Sequence, residues 1–190
     1  MLRRIAKTSV LAATAAMAIS VITATGASAA PQSGVPNGYK LTFSDEFDGN
    51  SLDTSKWGYQ YGCFDPAQRS QVNYTDSPEN VSVHDGYLSL TARYSPTKTK
   101  WDGSQVPRTC KDGSTVYDAP FTSGMITTKT KDGTVLYAAP GTGFYAEARI
   151  KLPSARSSWA AFWGTGTKGG WPGNGEIDIF EAKGYDPSFL

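Results

Sequence analysis

One seven-residue segment, Gly175-Glu176-Ile177-Asp178-Ile179-Phe180-Glu181, constrains the fold of this chain more than any other. Carboxylates alternate with large apolar residues, and successive side chains of a β-strand point to opposite faces, so the pattern predicts a strand with one acidic face. Strict alternation places Glu176 and Asp178 together but turns Glu181 away. A β-bulge around Ile179-Phe180 would return Glu181 to the acidic face, and bulges are common beside active sites. We therefore predict a bulged strand that carries three carboxylates on one face.

The spacing of the two glutamates predicts their chemistry. Four strand steps separate Glu176 from Glu181 once the bulge is discounted, roughly 13 Å at about 3.3 Å per residue. Each side chain reaches about 3–4 Å toward the other, so the carboxyl groups would be roughly 5–6 Å apart, as in retaining glycosidases (about 5–5.5 Å) rather than inverting ones (about 6.5–9.5 Å). Crowding with Asp178 favours protonation of one carboxyl while another stays ionised. The spacing thus favours double displacement at a sugar.

The acidic segment resembles the active-site signature of glycoside hydrolase family 16, in the bulged form of its laminarinase-like members. The resemblance covers about residues 39–186 and includes five further segments: Leu41-Thr42-Phe43-Ser44-Asp45-Glu46-Phe47, Phe121-Thr122-Ser123-Gly124-Met125-Ile126, Glu147-Ala148-Arg149-Ile150-Lys151-Leu152-Pro153, Trp159-Ala160-Ala161-Phe162-Trp163 and Gly170-Trp171-Pro172-Gly173-Asn174-Gly175. It implies an all-β, concanavalin A-like jelly-roll sandwich of two antiparallel sheets. The recurring turn signals and the scarcity of helical apolar periodicity agree with a sandwich of many short strands.

By the same resemblance, Glu176 is the nucleophile, Glu181 the general acid and then base, and Asp178 a hydrogen-bonding partner of the nucleophile. The implied protein is a secreted, monomeric, retaining endo-glycosidase that cuts β-1,3-glucan. Mixed-linkage glucan, agarose and carrageenan stay open as other substrates. Two carboxyl groups and water suffice for this reaction, so no cofactor is expected. Relatives often hold a structural calcium, for which Glu46 is a candidate ligand, but the remaining ligands would lie beyond Leu190, so no metal site is predicted in this chain.

Five further residues are candidates for substrate binding: Trp159, Trp163, Trp171, Asn174 and Arg149. Indole faces stack on sugar rings and the indole N–H can donate to hydroxyls. Each candidate has a structural alternative. The tryptophans could instead form core, most evenly balanced for Trp163; Asn174 could serve a turn; and Arg149 could form a surface salt bridge, which is the commoner role of an arginine on a strand.

The first thirty residues predict a secretory signal peptide, followed by one catalytic domain over residues 31–190. Arg3, Arg4 and Lys7 precede an uncharged Ala- and Val-rich run, and small residues near Ala30 suit cleavage. A retained membrane anchor is the alternative. We expect an extracellular protein without membrane contact after cleavage. The formal net charge of +1, without a basic stripe, argues against nucleic acid as a partner.

Cys63 and Cys110 are the only cysteines. In an exported protein a disulfide between them is expected, with two distant free thiols as the alternative.

Local patterns predict where several strands lie. Val81 to Ala92 forms two alternating runs around Asp85-Gly86, a strong hairpin signal. Strands are also predicted at Tyr39–Phe43, Gly124–Lys129, Phe144–Leu152 and, buried, at Ala160–Trp163, whereas residues 94–120 are predicted to form a long polar loop. Because a family 16 domain has further strands after its acidic strand, we expect the chain to be the N-terminal portion of such a domain, with the C-terminal part missing. A non-catalytic glucan-binding module and an inactive truncated remnant are the alternatives.

Overall fold

The computed structural model describes residues 36–64, 67, 69–141 and 143–184, so the predicted signal peptide lies outside the described residues. Within these ranges there are fourteen strands and no α-helix, which confirms the all-β prediction. No helix of the length and hydropathy needed to cross a membrane occurs in the described part of the chain. The strands are β1 (Gly58–Tyr59), β2 (Gly62–Cys63), β3 (Val72–Tyr74), β4 (Val81–His84), β5 (Tyr87–Leu90), β6 (Arg93–Tyr94), β7 (Thr97–Thr99), β8 (Gln105–Pro107), β9 (Thr109–Asp112), β10 (Thr115–Asp118), β11 (Phe121–Ser123), β12 (Ile126–Thr127), β13 (Trp159–Thr165) and β14 (Glu176–Lys183).

A four-stranded sheet in the order β2-β3-β11-β6 organises the first part of the fold. β11 runs parallel to β3 and antiparallel to β6. A disulfide joins Cys63 on β2 to Cys110 on β9, with 5.8 Å between their Cα atoms. The disulfide therefore fastens the β9–β10 hairpin to the edge of this sheet.

The predicted Asp85-Gly86 hairpin is confirmed. β4 and β5 pair in register from Val81–Leu90 to His84–Tyr87. Asp85 and Gly86 have φ of 52° and 77°, and positive φ at both central residues is the requirement of a type I′ turn. Val81 and Val83 alternate inward and are buried, together with Leu52, Ala119 and Cys110.

Asn80, just before β4, is buried, and both polar atoms of its side chain form hydrogen bonds. Its Nδ2 donates to the Thr91 carbonyl (2.9 Å) and to Thr122 Oγ1 (3.1 Å), and its Oδ1 accepts from Thr75 Oγ1 (2.8 Å). The Asn80 backbone also lies so close to Gly124 that a Cβ there would stand 2.4 Å from the Asn80 oxygen. Asn80-Val81-Ser82 matches the glycosylation pattern, but this asparagine is part of the interior.

Two predicted strands and one predicted loop were wrong. Tyr39–Phe43 and Phe144–Leu152 have no ladder partner within the described residues, and Phe43 instead packs its ring against Trp57 and Tyr137 at centroid distances of 5.2 and 4.6 Å. Alternation predicts which way side chains face, but it carries no information on whether a neighbouring strand is present. Residues 94–120 hold the β7–β8 and β9–β10 hairpins rather than a loop.

Candidate active site

The antiparallel pair β13–β14 carries the acidic segment. Glu176 lies opposite Thr165, Ile177 opposite Gly164 and Asp178 opposite Trp163. The register then slips by one residue, since Phe180 lies opposite Phe162 and Glu181 opposite Ala161. Ile179 is therefore the extra residue of a bulge, at the position that the sequence predicts.

The bulge sets the face on which each acid lies. Thr165, Trp163 and Ala161 alternate along β13 and so share one face. Residues directly opposite each other on paired strands lie on the same face, which places their partners Glu176, Asp178 and Glu181 together. Without the slip after Asp178, Glu181 would fall on the other face, with Ile177.

β13 is less buried than predicted. Trp159 is exposed and Trp163 half-buried, and on β14 Ile177 and Ile179 remain 56% and 43% exposed. The described residues thus leave both faces of this strand pair partly open, in contrast to the prediction of a buried strand at Ala160–Trp163.

Trp171 reaches Glu176 from the loop between the two strands. Its Nε1 donates a hydrogen bond to Glu176 Oε2. The loop is closed by backbone hydrogen bonds from Asn174 N to the Gly170 carbonyl and from Gly175 N to the Pro172 carbonyl, each 3.1 Å long. Gly175 turns the chain into β14 with φ of 77°, a conformation that suits glycine.

Asn174 serves this loop through its side chain. Its Nδ2 donates to the Gly166 carbonyl at 2.6 Å, while its Oδ1 is buried without a hydrogen-bond partner in the described structure. A Cβ on Gly166 would stand 2.3 Å from the Asn174 carbonyl oxygen, so the two ends of the loop approach closely only because Gly166 has no side chain. This contact agrees with the turn role predicted for Asn174, while its role in substrate binding stays a prediction.

Trp159 reaches Glu181 from the start of β13. Its Nε1 donates to Glu181 Oε1 at 2.9 Å. The chain before Trp159 is anchored to the end of β14, since Gly184 N donates to the Ser158 carbonyl at 2.7 Å. A Cβ on Gly184 would collide with the Ala155 carbonyl at 2.4 Å, so this contact also requires glycine.

The two remaining predicted site residues, Trp163 and Arg149, differ in their position relative to the acids. Trp163 lies on the acidic face opposite Asp178, and its ring faces Phe64 with centroids 6.1 Å apart. Arg149 is exposed, in a segment that forms no strand. Sequence reasoning missed the two indole–carboxylate hydrogen bonds, although the turn residues Pro172 to Gly175 between Trp171 and Glu176 signal a chain reversal that allows one of them.

The described residues contain no group of three His, Cys, Asp or Glu side chains placed to hold a metal ion. Near Glu46, the neighbouring Asp45 is occupied by other partners: its carboxylate accepts from Trp57 Nε1 (2.8 Å) and Phe47 N (2.9 Å). Calcium binding by Glu46 in a longer family domain, with the remaining ligands beyond Leu190, stays a prediction.

Residues 142–186, which span the loop and both strands of the site, match the model of the XgeA-like catalytic GH16 domain. This part of the chain is similar to a glycoside hydrolase family 16 catalytic domain, the family that the acidic signature predicts.

Curated relatives extend the similarity to family 16 over most of the chain. The chain is 34% identical over 161 residues to glucan endo-1,3-beta-glucosidase A1 of Niallia circulans, covering 79% of this chain and 21% of that protein. It is 32% identical to the glucan endo-1,3-beta-glucosidase of Cryptopygus antarcticus (77% of this chain, 47% of that protein) and 30% identical to the beta-glucanase of Rhodothermus marinus (80% and 46%). The chain thus spans less than half the length of each of these relatives.

Solved family 16 structures share the fold. The laminarinase of Rhodothermus marinus matches with a TM-score of 0.51 and 29% identity over 78% of this chain and 51% of that one. The catalytic domain of an endo-1,3-beta-glucanase from Thermotoga petrophila matches with a TM-score of 0.50 and 27% identity, covering 77% and 49%. The described strands therefore correspond to about half of a family 16 jelly roll.

Proposed function

We propose that this chain carries the catalytic strand of a secreted endo-acting glycosidase that hydrolyses β-1,3-glucan with retention of configuration. The observation that carries the proposal is the bulged register of β14, which gathers Glu176, Asp178 and Glu181 on one face beside exposed indoles. The names of the curated relatives support β-1,3-glucan over agarose or carrageenan as the substrate.

The register supports a double displacement. Glu176 and Glu181 lie opposite Thr165 and Ala161, four residues apart on β13, so their Cα atoms are separated by roughly 13 Å at about 3.3 Å per strand residue. Two glutamate side chains that converge from this separation can reach the spacing of about 5–5.5 Å that retaining enzymes use, which supports retention over inversion.

In the first step, Glu176 attacks the anomeric carbon and forms a glycosyl-enzyme while Glu181 protonates the departing glycosidic oxygen. In the second step, Glu181 takes a proton from water, the water oxygen attacks the anomeric carbon, and the Glu176 carboxylate leaves. Asp178, between them on the same face, tunes the charge of the nucleophile. The two carboxyl groups and water complete this cycle, so the proposal needs no cofactor.

The substrate would lie along the acidic face. Trp159 and Trp171 are 62% and 68% exposed, and their rings offer apolar surface at the two ends of the row of acids. Trp163 lies between them on the same face as a further sugar contact. We propose that the protein acts as an extracellular monomer on the polysaccharide.

The deciding experiment is reducing-sugar release from laminarin by the full chain, compared with the Glu176→Gln and Glu181→Gln variants. Activity that disappears in both variants supports the proposal, and proton NMR of the first-formed anomer then tests retention. Glu79→Gln is a matched control, because Glu79 is exposed, pairs only loosely with Arg93 at 3.6 Å and lies outside the site. Laminarin binding without any hydrolysis would instead indicate a glucan-binding module, and equal activity in all variants would contradict the assignment of the acids.

Azide separates the roles of the two glutamates. As a small anion it attacks a glycosyl-enzyme without help from a base. On a substrate with an activated leaving group, we expect azide to accelerate Glu181→Ala and to give a product that retains configuration. Acceleration of Glu176→Ala with an inverted product is expected if Glu176 is the nucleophile. The opposite pattern would exchange the two roles.

A further inference from the structure

We infer that Trp171 and Trp159 are positioning residues, each of which holds one of the two glutamates through its indole N–H. This inference rests on the proposed function, because it gives the indoles a role in the same reaction. The order on the acidic face is Trp171, Glu176, Asp178, Glu181 and Trp159, so one indole stands at each end of the row.

The chemistry of the pair favours this role. An indole Nε1 is a donor only, and a carboxylate is an acceptor, so the two groups match without a change of protonation. Hydrogen bonds to an ionised acceptor are about twice as strong as neutral ones, which applies to Glu176 before its attack and to Glu181 once it has given up its proton. Glu176 and Glu181 are exposed, and an exposed glutamate otherwise samples many rotamers. The hydrogen bond selects the rotamers in which each carboxyl group is ready for reaction.

Both indoles are attached to backbone that is itself fixed. The Trp171 loop is closed by the Asn174–Gly166 hydrogen bond and by the close approach of the same two residues. Trp159 follows Ser158, whose carbonyl accepts from Gly184 just beyond β14. A donor on a rigid support can hold a side chain within the narrow tolerance that catalysis needs, whereas a mobile donor would move with it.

Sugar stacking is the competing role for Trp159 and Trp171. Substitution by phenylalanine distinguishes stacking from positioning. Trp171→Phe and Trp159→Phe keep an aromatic face for a sugar ring but remove the N–H donor. If the indoles position the glutamates, kcat falls about tenfold or more in each variant while KM changes little, as expected for the loss of a hydrogen bond to a charged group. If the rings act only by stacking, KM rises and kcat is kept, which would overturn the inference.

A second readout does not depend on hydrolysis. In the ¹⁵N-labelled full chain, Glu176→Gln should shift the indole N–H resonance of Trp171, whose acceptor loses its charge, and should leave that of Trp159 unchanged. Glu181→Gln should shift the resonance of Trp159 and leave that of Trp171 unchanged. Indole resonances that shift with neither substitution would overturn the inference.

The two experiments can contradict the positioning role and the proposed function separately. Indole resonances that respond to the glutamates in a chain without laminarin hydrolysis would reject the proposed function and keep the pairing. Hydrolysis that needs both glutamates, with full kcat in both phenylalanine variants, would reject the positioning role alone. Trp101→Phe is the matched control, because Trp101 is fully exposed at the tip of the β7–β8 hairpin and should change neither kcat nor the two resonances.

Discussion

The β4–β5 hairpin and the β13–β14 pair are both antiparallel, but they are stabilised in different ways. β4 has one buried face with Val81 and Val83, and the buried Asn80 hydrogen-bonds to three other segments of the chain. β13–β14 is a longer ladder whose apolar face the described residues leave partly open, with Ile177 more than half exposed.

The comparison suggests that one region mainly stabilises the fold and the other mainly positions the acids. Burial of apolar side chains and satisfaction of buried polar groups carry most of the free energy of folding, so the hairpin region should determine how firmly the described part folds. The strand pair places functional groups through local devices: one bulge, two glycines at close approaches and two indole donors. Substitutions in the two regions should therefore have effects of different kind.

The largest expected effect is a loss of activity on turning Glu181 away from the other two acids. Insertion of one alanine between Phe180 and Glu181 adds a strand step after the bulge and turns Glu181 to the opposite face. Hydrolysis of laminarin should then fall by about 10²–10⁴-fold, the usual contribution of a general acid–base group. Ile179→Val leaves the length of the strand unchanged and serves as the control, with activity near that of the unchanged chain. Retained activity in the insertion variant, measured by reducing-sugar release, would show that Glu181 does not act from this face.

The site could be predicted from sequence to a larger extent than the fold around it. The acids, their shared face and the bulge follow from seven residues, because strand periodicity is a local property. The Asp85-Gly86 turn was predictable for the same reason. Which segments pair as strands could not be predicted in this way. Tyr39–Phe43 alternates like a strand but makes ring contacts with distant residues instead. The indole donors escaped prediction because the Trp159–Glu181 contact depends on a register between residues 22 apart.

A second comparison uses two asparagines, one from each region. Asn80→Ala leaves two buried or half-buried hydroxyls and one carbonyl without their partner, and at about 1 kcal/mol for each hydrogen bond the free energy of unfolding should fall by about 3 kcal/mol. Asn174→Ala removes one hydrogen bond to the exposed Gly166 carbonyl, which water can replace, and should cost about 1 kcal/mol or less. Urea unfolding of both variants measures the difference. Equal losses would mean that the loop beside the acids is as important to stability as the interior.

The sharpest form of the comparison replaces one apolar residue in each strand by alanine. Val83 is 5% exposed, and Val83→Ala removes two methyl groups from a packed interior, which should lower the free energy of unfolding by about 2 kcal/mol. Ile177 is 56% exposed, and Ile177→Ala should cost only about 0.5 kcal/mol, as is usual for surface positions. Unfolding in urea gives both values on the same chain. A loss at Ile177 as large as that at Val83 would show that the apolar face of β14 is covered by residues other than those described, and the strand pair would then owe its geometry to packing as well as to its bulge.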